Sequence, residues 1–233
     1  MTLGKLAYAL NEPNFVNKLH AFTANADHDS NSNTSLMHDS DLDAPKIDEL
    51  ITLYPSALAT YSTPSDMSSI SSMCSEHICT TPNWRKEGPH YDTVFVNTNS
   101  SEDGMCGLDV AHVKQFFSFN CQGHVYLSAA IQWYSCCGDE PDKDTGMRIV
   151  EPDICEDGKC VTYIIHLDTI FHSAHLIAMY GNNPIPKDIL VMGNPLSHVW
   201  SICVCLFPMK SLSVLAKQSF ALLQKCTQTL ALT

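Results

Sequence analysis

Four side chains that could bind a metal or transfer protons lie close together in an otherwise apolar stretch. In VTYIIHLDTIFHSAHLIAMYG (161–181) they are His166, Asp168, His172 and His175. Zinc accepts histidine and carboxylate ligands, and the same groups serve in acid–base catalysis. However, the spacing H-x-D-x3-H-x2-H matches no standard ligand pattern. The alternative is a strand that enters a turn, where Asp168 accepts hydrogen bonds from backbone amides and His175 donates to a backbone carbonyl.

A second candidate metal site lies in CSEHIC, where Cys74, His77 and Cys79 fall within six residues. The Cys-x2-His spacing is a reasonable half-site for zinc. The chain contains no Cys-x2-Cys pair, so scattered reduced thiols are the competing interpretation. The cysteines that could complete a zinc site are Cys136, Cys137, Cys155 and Cys160.

Other sequence signals of catalysis are absent or incomplete. GDEPDKDTG (138–146) has the acidic composition of a calcium loop but lacks its ligand register, and it reads as a solvated turn. No G-x-S-x-G, P-loop or G-x-G-x-x-G pattern occurs. We therefore predict no cofactor and no bound metal, and the six residues His166, Asp168, His175, Cys74, His77 and Cys79 remain only weak candidates.

The charge distribution argues against non-specific binding to nucleic acid. All 25 acidic residues and all but three of the 13 Lys and Arg lie in residues 1–188, which gives that part a net charge of −15. Counterion release from DNA requires clustered Lys and Arg, and the candidates for a local basic patch are few. They are Arg85, Lys86, Lys114 and Arg148.

The cysteines and the apolar runs bear on where the protein resides. The chain has 11 Cys, an odd number with irregular spacing, and its first residues contain no long apolar segment typical of a secretory signal. We therefore expect an intracellular protein with reduced thiols rather than a secreted one. The most apolar run, 199–207, is too short to span a membrane, so no membrane association is predicted.

Hydrophobic periodicity predicts an α+β protein with four parts. Residues 1–23 have the period of two short helices, and 24–45 is Asn-, Asp- and Ser-rich, which indicates a disordered linker. Residues 46–189 form the β-rich module, with loop expected at 62–82 and a small antiparallel sheet or barrel of five or six strands at about 85–185. In the poorly specified tail, 190–233, residues 211–232 have a nearly helical period.

Several segments, which occur in the same order along the chain, together resemble the C-terminal region of Plavaka-type transposases. These are DDE-class DNA transposons of fungi related to the CACTA group. The matching segments include YPSALATYSTPSDMSS (54–69), PNWRKEGPHYDTVFVN (82–97), VKQFFSF (113–119), GDEPDKDTGM (138–147) and IIHLDTIFHSAHLIAMYG (164–181). The resemblance runs from about residue 5 to 189. It stops at the divergent tail, where a frameshift or a splicing error would explain the change.

The resemblance implies an accessory β-rich module without catalysis, because the acidic triad of that family lies upstream of the matching region. His166, Asp168 and His175 agree with the family pattern, whereas His172 and His90 stand where the family usually has Arg. Cys79 likewise replaces a basic residue. These departures weaken both metal hypotheses.

We therefore expect a non-catalytic, transposon-derived fragment that acts in protein interaction or in assembly on DNA. Its acidic charge favours protein partners or a transposase complex over direct DNA contact. A nuclear location is favoured over a cytoplasmic one. Two alternatives stay open: a small zinc-binding or metal-dependent hydrolytic domain centred on His166, Asp168 and His175, and a decayed gene product without function.

Overall fold

The alternating apolar residues of the second half of the chain form antiparallel strands in the computed structural model. Each such strand presents one row of side chains to each face of its sheet. The structure describes ten stretches of the chain. They are residues 1–30, 46–62, 73–84, 88–101, 107–138, 140–143, 146–155, 158–179, 201–204 and 229–232.

Two helices precede thirteen strands in these stretches. The helices are α1 (Leu3–Ala9) and α2 (Phe15–Ser30). The strands of the first half are β1 (Thr52–Tyr54), β2 (Ser56–Ser62), β3 (Met73–Trp84), β4 (Gly88–Tyr91), β5 (Thr93–Asn97) and β6 (Leu108–Cys121). Those of the second half are β7 (His124–Cys136), β8 (Arg148–Pro152), β9 (Tyr163–His166), β10 (Ile170–Ser173), β11 (Leu176–Met179), β12 (Ser201–Val204) and β13 (Thr229–Leu232).

The strands form two antiparallel sheets. The large sheet has nine strands in the order β10-β5-β6-β7-β8-β12-β11, with β1 also paired to β6 and β9 to β7. The small sheet has the order β13-β2-β3-β4. The predicted antiparallel β-rich architecture is therefore confirmed, but the predicted count of five or six strands is too low. Among the described residues, eight strands, β4–β11, lie within the predicted range of about 85–185, and β1–β3, β12 and β13 lie outside it.

The chain passes between the sheets at Pro55 and at Asp92, and backbone hydrogen bonds fasten both crossings. The Thr80 N–H donates to the Pro55 carbonyl at 2.7 Å. The Asp92 N–H donates to the Cys79 carbonyl at 2.9 Å, and the Val113 N–H donates to the Asp92 carbonyl at 3.0 Å. The Asp92 carboxylate also accepts the Cys79 N–H at 2.6 Å. Asp92 thus joins strands of both sheets.

The long β6–β7 ribbon is buried on both faces. On one face Phe116 packs in the core between the sheets, and on the other Phe117 packs beneath the helices. The Phe15 ring lies 5.7 Å from that of Phe117, and both side chains are fully buried. The predicted N-terminal helices are therefore part of the same core as the sheet, where Leu6 and Leu19 complete the contact.

Three sequence predictions need correction. Helix α2 continues through residues 24–30 of the predicted linker; residues 31–45 lie outside the described stretches. Residues 73–82 of the predicted loop belong to β3, in which residues 73–79 pair with β2 and Thr80 and Thr81 pair with β4. The predicted helical tail is wrong at 229–232, which pairs with β2 as a strand, and the rest of 211–232 lies outside the described residues. No described helix is long and apolar enough to cross a membrane.

Candidate functional site

The structure separates the histidines of the 161–181 stretch. His166 ends β9 and is half-buried, with its ring 4.4 Å from that of Phe22 on α2 and 6.1 Å from that of Tyr126. His172 lies on β10, where its ring is 5.2 Å from the rings of both Tyr61 and Phe95. The two imidazoles therefore belong to different packing environments, one under the helices and one between the sheets.

The other two residues of this stretch are exposed. Asp168 lies in a 3₁₀ turn over Leu167–Thr169, and His175 lies between β10 and β11. The predicted cap by Asp168 is wrong, because Asp168 is inside the turn rather than before it. The turn is instead closed by the Thr169 hydroxyl, which donates to the His166 carbonyl at 2.8 Å. The predicted bond from His175 to a backbone carbonyl is not found among the described residues.

The second candidate set lies on β3, and strand geometry divides it. Neighbouring side chains of a strand point to opposite faces, so Cys74 lies on the face of Ile78, while His77 shares the other face with Cys79. Cys74 and His77 therefore cannot ligate one metal as a Cys-x2-His half-site. Cys79 is buried, and burial, with the Asp92 carboxylate, raises the pKa of its thiol. Its chemistry is that of a core residue.

The remaining cysteines do not complete a site within the described residues. Cys136 and Cys137 are exposed at the end of β7, and Cys155 and Cys160 flank a turn in which the Cys155 N–H donates to the Lys159 carbonyl at 2.8 Å. Across the stretches that the structure describes, no three His, Cys, Asp or Glu side chains lie close enough together to hold a metal ion.

A partly buried polar cluster instead forms around Glu76, a residue that the sequence interpretation did not single out. Its carboxylate accepts hydrogen bonds from both the backbone N–H and the hydroxyl of Ser173, the latter at 2.8 Å. The Tyr61 hydroxyl donates to the same carboxylate at 3.4 Å. Burial, and then Glu76, raise the pKa of Tyr61 to about 12, so this hydroxyl is a proton donor at every physiological pH.

This cluster contains the residue types of a hydrolytic triad but not its geometry. In a triad the histidine lies between the serine hydroxyl and the carboxylate. Here Glu76 contacts the Ser173 hydroxyl directly, and Nδ1 of His172 bonds to the Ser173 carbonyl at 2.7 Å. Burial lowers the pKa of His172. The carboxylate is occupied by three donors from two strands, which makes the cluster a clamp between the sheets.

The most exposed apolar side chains near one end of the molecule form a different kind of site. Val125 and Leu127 are 69% and 40% exposed and share one face of β7, and Leu50 is 72% exposed on the segment that runs beside the same hairpin. The Asp48 N–H donates to the Asn120 carbonyl at 2.9 Å, and Asn120 pairs with Val125. We call Leu50, Val125 and Leu127 the hairpin-tip surface.

The hairpin tip also has an open strand edge. On the side of β7 away from β6, strand β9 pairs with residues from Ser128 to Ile131 only. Among the described residues, 124–127 therefore have no strand partner on that side. Exposed backbone groups at a strand edge can pair with another chain, and adjacent apolar side chains strengthen such pairing.

The sequence interpretation missed the important residues of both sites for different reasons. Glu76 lies between Cys74 and His77, and only strand alternation with Ile78 would have shown that it faces inward. The alternation of Val125 and Leu127 predicted a strand but not which face another element covers. Comparisons with protein-family models, curated proteins and solved structures found no match to this chain.

Proposed function

We propose that this chain is a non-catalytic protein-interaction module that binds its partner at the hairpin-tip surface. We further propose that it derives from the C-terminal region of a Plavaka-type transposase and acts inside the cell, in the nucleus. The transposon origin is supported by the sequence segments that resemble that family and follow the same order. The hairpin-tip surface supports the interaction role, and its exposed apolar side chains on an open strand edge are the observation that carries it.

An exposed apolar residue is ordinary on a protein surface, so a single one would support nothing. Here Val125 and Leu127 alternate along a part of β7 that has no strand partner on one side among the described residues, and Leu50 lies on the β6 side of the same hairpin. An added strand would gain backbone hydrogen bonds from residues 124–127 and apolar contacts from Val125 and Leu127. Strand addition is therefore the binding mode that fits this surface.

The charge near the tip indicates the partner's chemistry. Asp48 and Glu49 are exposed and directly precede Leu50, and the 1–188 part of the chain carries a net charge of −15. Complementary charge favours association and selects partners. We therefore propose an extended protein segment that carries alternating apolar residues together with Lys or Arg.

We propose a non-catalytic role because the side chains that could take part in catalysis make structural contacts instead. Glu76 holds Ser173 and Tyr61, His172 is packed among aromatic rings, and the Cys79 thiol is buried. Each group therefore has a structural explanation. Metal analysis of the purified protein tests the hydrolytic alternative, because stoichiometric zinc that is lost on His175→Ala would contradict the proposal.

A direct measurement of DNA binding distinguishes a protein-interaction module from a module that assembles on DNA. Fluorescence anisotropy of a labelled random-sequence duplex would be followed at physiological salt as the full chain is added. We expect no saturation at micromolar protein, because an acidic surface gains little from counterion release. Micromolar affinity that falls as salt is raised would contradict the preference for a protein partner.

A further inference from the structure

A cavity of about 410 Å³ lies where the end of α1 approaches β4, β6 and β7. Its lining includes Tyr91 on β4, Lys114 on β6 and Gln132 on β7. Lys159 and Cys160, from the segment between β8 and β9, complete this part of the lining. Pockets that bind small molecules have volumes of about 300–1,000 Å³, so this cavity is large enough for one. It is distinct from the hairpin-tip surface, because its residues on the β6–β7 ribbon, Lys114 and Gln132, lie away from the turn that joins the two strands.

Lys114 lies at an irregularity in the strand register. Val113 pairs with Ile131 and Gln115 pairs with Ala130, so Lys114 is an extra residue with no partner across the ladder. Such a bulge redirects a side chain, and bulges are common beside functional sites. Here it allows Lys114, between the buried Val113 and the partly buried Gln115, to line the cavity.

The Lys114 ammonium group has no counter-charge among the described residues. Its Nζ atom lies 5.2 Å from the centre of the Tyr91 ring, and no carboxylate of the described stretches is within ion-pair distance. The side chain is partly buried, and that burial lowers its pKa. The neighbouring His112 is buried with no hydrogen-bond partner for Nδ1 among described groups, and burial, with Lys114, lowers its pKa to about 4.

A cation withdrawn from water without an opposite charge is costly, and an anion beside it removes much of that cost. Tyr91 and Gln132 add a hydroxyl and an amide that can donate hydrogen bonds to the same ligand. We propose that this cavity binds a small organic anion through a carboxylate or phosphate group that pairs with Lys114. This site is independent of the proposed protein interaction.

Isothermal titration calorimetry of the full chain with inorganic phosphate and with succinate tests the proposal, and uncharged succinamide serves as the matched control. We expect one site per chain for at least one anion and none for succinamide. The stronger anion then identifies the class of ligand. Absence of saturable binding by both anions, or equal binding of succinamide, would overturn the proposal.

The variant Lys114→Met keeps the length of the side chain and removes its charge. It should weaken anion binding by about tenfold or more, since hydrogen bonds to charged groups contribute at least that factor. Lys143→Met, a change at an exposed lysine, should leave affinity within about twofold, in line with the small effect of isolated surface charges. Equal loss in both variants, or none in Lys114→Met, would contradict the site.

A measurement on the unaltered protein covers the case in which Lys114→Met does not fold. Amide chemical shifts of the labelled wild-type chain would be recorded during titration with the anion that binds. We expect the largest changes at Tyr91, Lys114, Gln132 and Cys160. Changes confined to residues away from the cavity would overturn the assignment.

Discussion

Glu76 on β3 holds Ser173 on β10 by two hydrogen bonds, although 97 residues separate them in sequence. Strand β10 pairs with β5 along one edge. On its other edge the Glu76 carboxylate accepts the Ser173 N–H, as a backbone carbonyl of a neighbouring strand would. Because β3 and β10 belong to different sheets, this contact closes the core between them. A side chain in the small sheet thereby protects an edge of the large one.

The first prediction concerns this clamp. Glu76→Gln removes the charge and replaces one acceptor by a donor that faces the Ser173 and Tyr61 donors. We expect the free energy of unfolding to fall by about 1.5–3 kcal/mol, the range for hydrogen bonds to charged groups. Urea denaturation measures it, with Glu140→Gln at an exposed carboxylate as control. A loss for Glu76→Gln as small as that of the control would contradict the clamp.

The second prediction tests whether the N-terminal helices share the core of the sheet. Phe15 is fully buried against Phe117, so Phe15→Ala should cost about 3–5 kcal/mol, as for other large core truncations. Tyr8→Ala on α1 removes a side chain that is 90% exposed and should change stability by less than about 0.5 kcal/mol. Thermal unfolding of both variants would show one transition. A separate helical unit would instead leave the sheet transition unchanged in Phe15→Ala.

The third prediction is a loss of stability in mild acid. The pKa of His112 is lowered to about 4 in the folded chain from an ordinary value of 6.5. The unfolded chain therefore binds more protons between these values, and stability present above pH 6.5 is lost as pH falls toward 4. His112 alone accounts for a loss of about 2 kcal/mol between pH 7 and pH 5.

The measurement for this prediction compares urea denaturation at the two pH values in the wild-type protein and in His112→Leu. The lowered pKa of His172 acts in the same direction in both proteins and therefore cancels in the comparison. The variant should lose less stability on acidification than the wild type does. Equal losses would show that His112 is not neutral in the folded chain.

The fourth prediction concerns the crossing between the sheets at Asp92. Asp92→Ala leaves the Cys79 N–H without its acceptor and also removes the contact at 3.0 Å with His90. We expect a loss of about 1–3 kcal/mol, the cost of leaving a buried donor unsatisfied. Asp109→Ala is the control, since the exposed Asp109 side chain accepts only the Thr98 hydroxyl in its described contacts. Equal effects of the two substitutions would contradict the role of Asp92.

The sequence predicted the strands of the second half because their alternation is strong, as in the run that became β7. It did not predict β3, because the Ser and Thr residues around Cys74 and Ile78 are typical of a loop. Only the pairing with β2 shows that this segment is a strand. Nor did it predict that Phe15 and Phe117 meet, since the docking of helices on a sheet face is a long-range property. Local propensity describes elements, and tertiary contacts decide which of them pair.

The candidate site shows the same division. His166, Asp168, His172 and His175 are adjacent in sequence, yet a strand, a turn and a second strand place them apart. Conversely, Glu76 and Ser173 are distant in sequence and bonded in space. Lys114 appeared in the sequence only as a possible member of a basic patch, because a strand bulge cannot be recognised without the register of its neighbour.

The central claim, that the hairpin-tip surface binds an extended protein segment, is tested most directly by selection of displayed random peptides on the full chain. We predict enriched peptides with alternating apolar residues and Lys or Arg, which lose affinity about tenfold or more for Val125→Lys/Leu127→Glu. They should bind Ile177→Lys, altered at another exposed apolar residue, as tightly as the wild type. Peptides that bind the hairpin-tip variant as tightly as the wild type would contradict the claim.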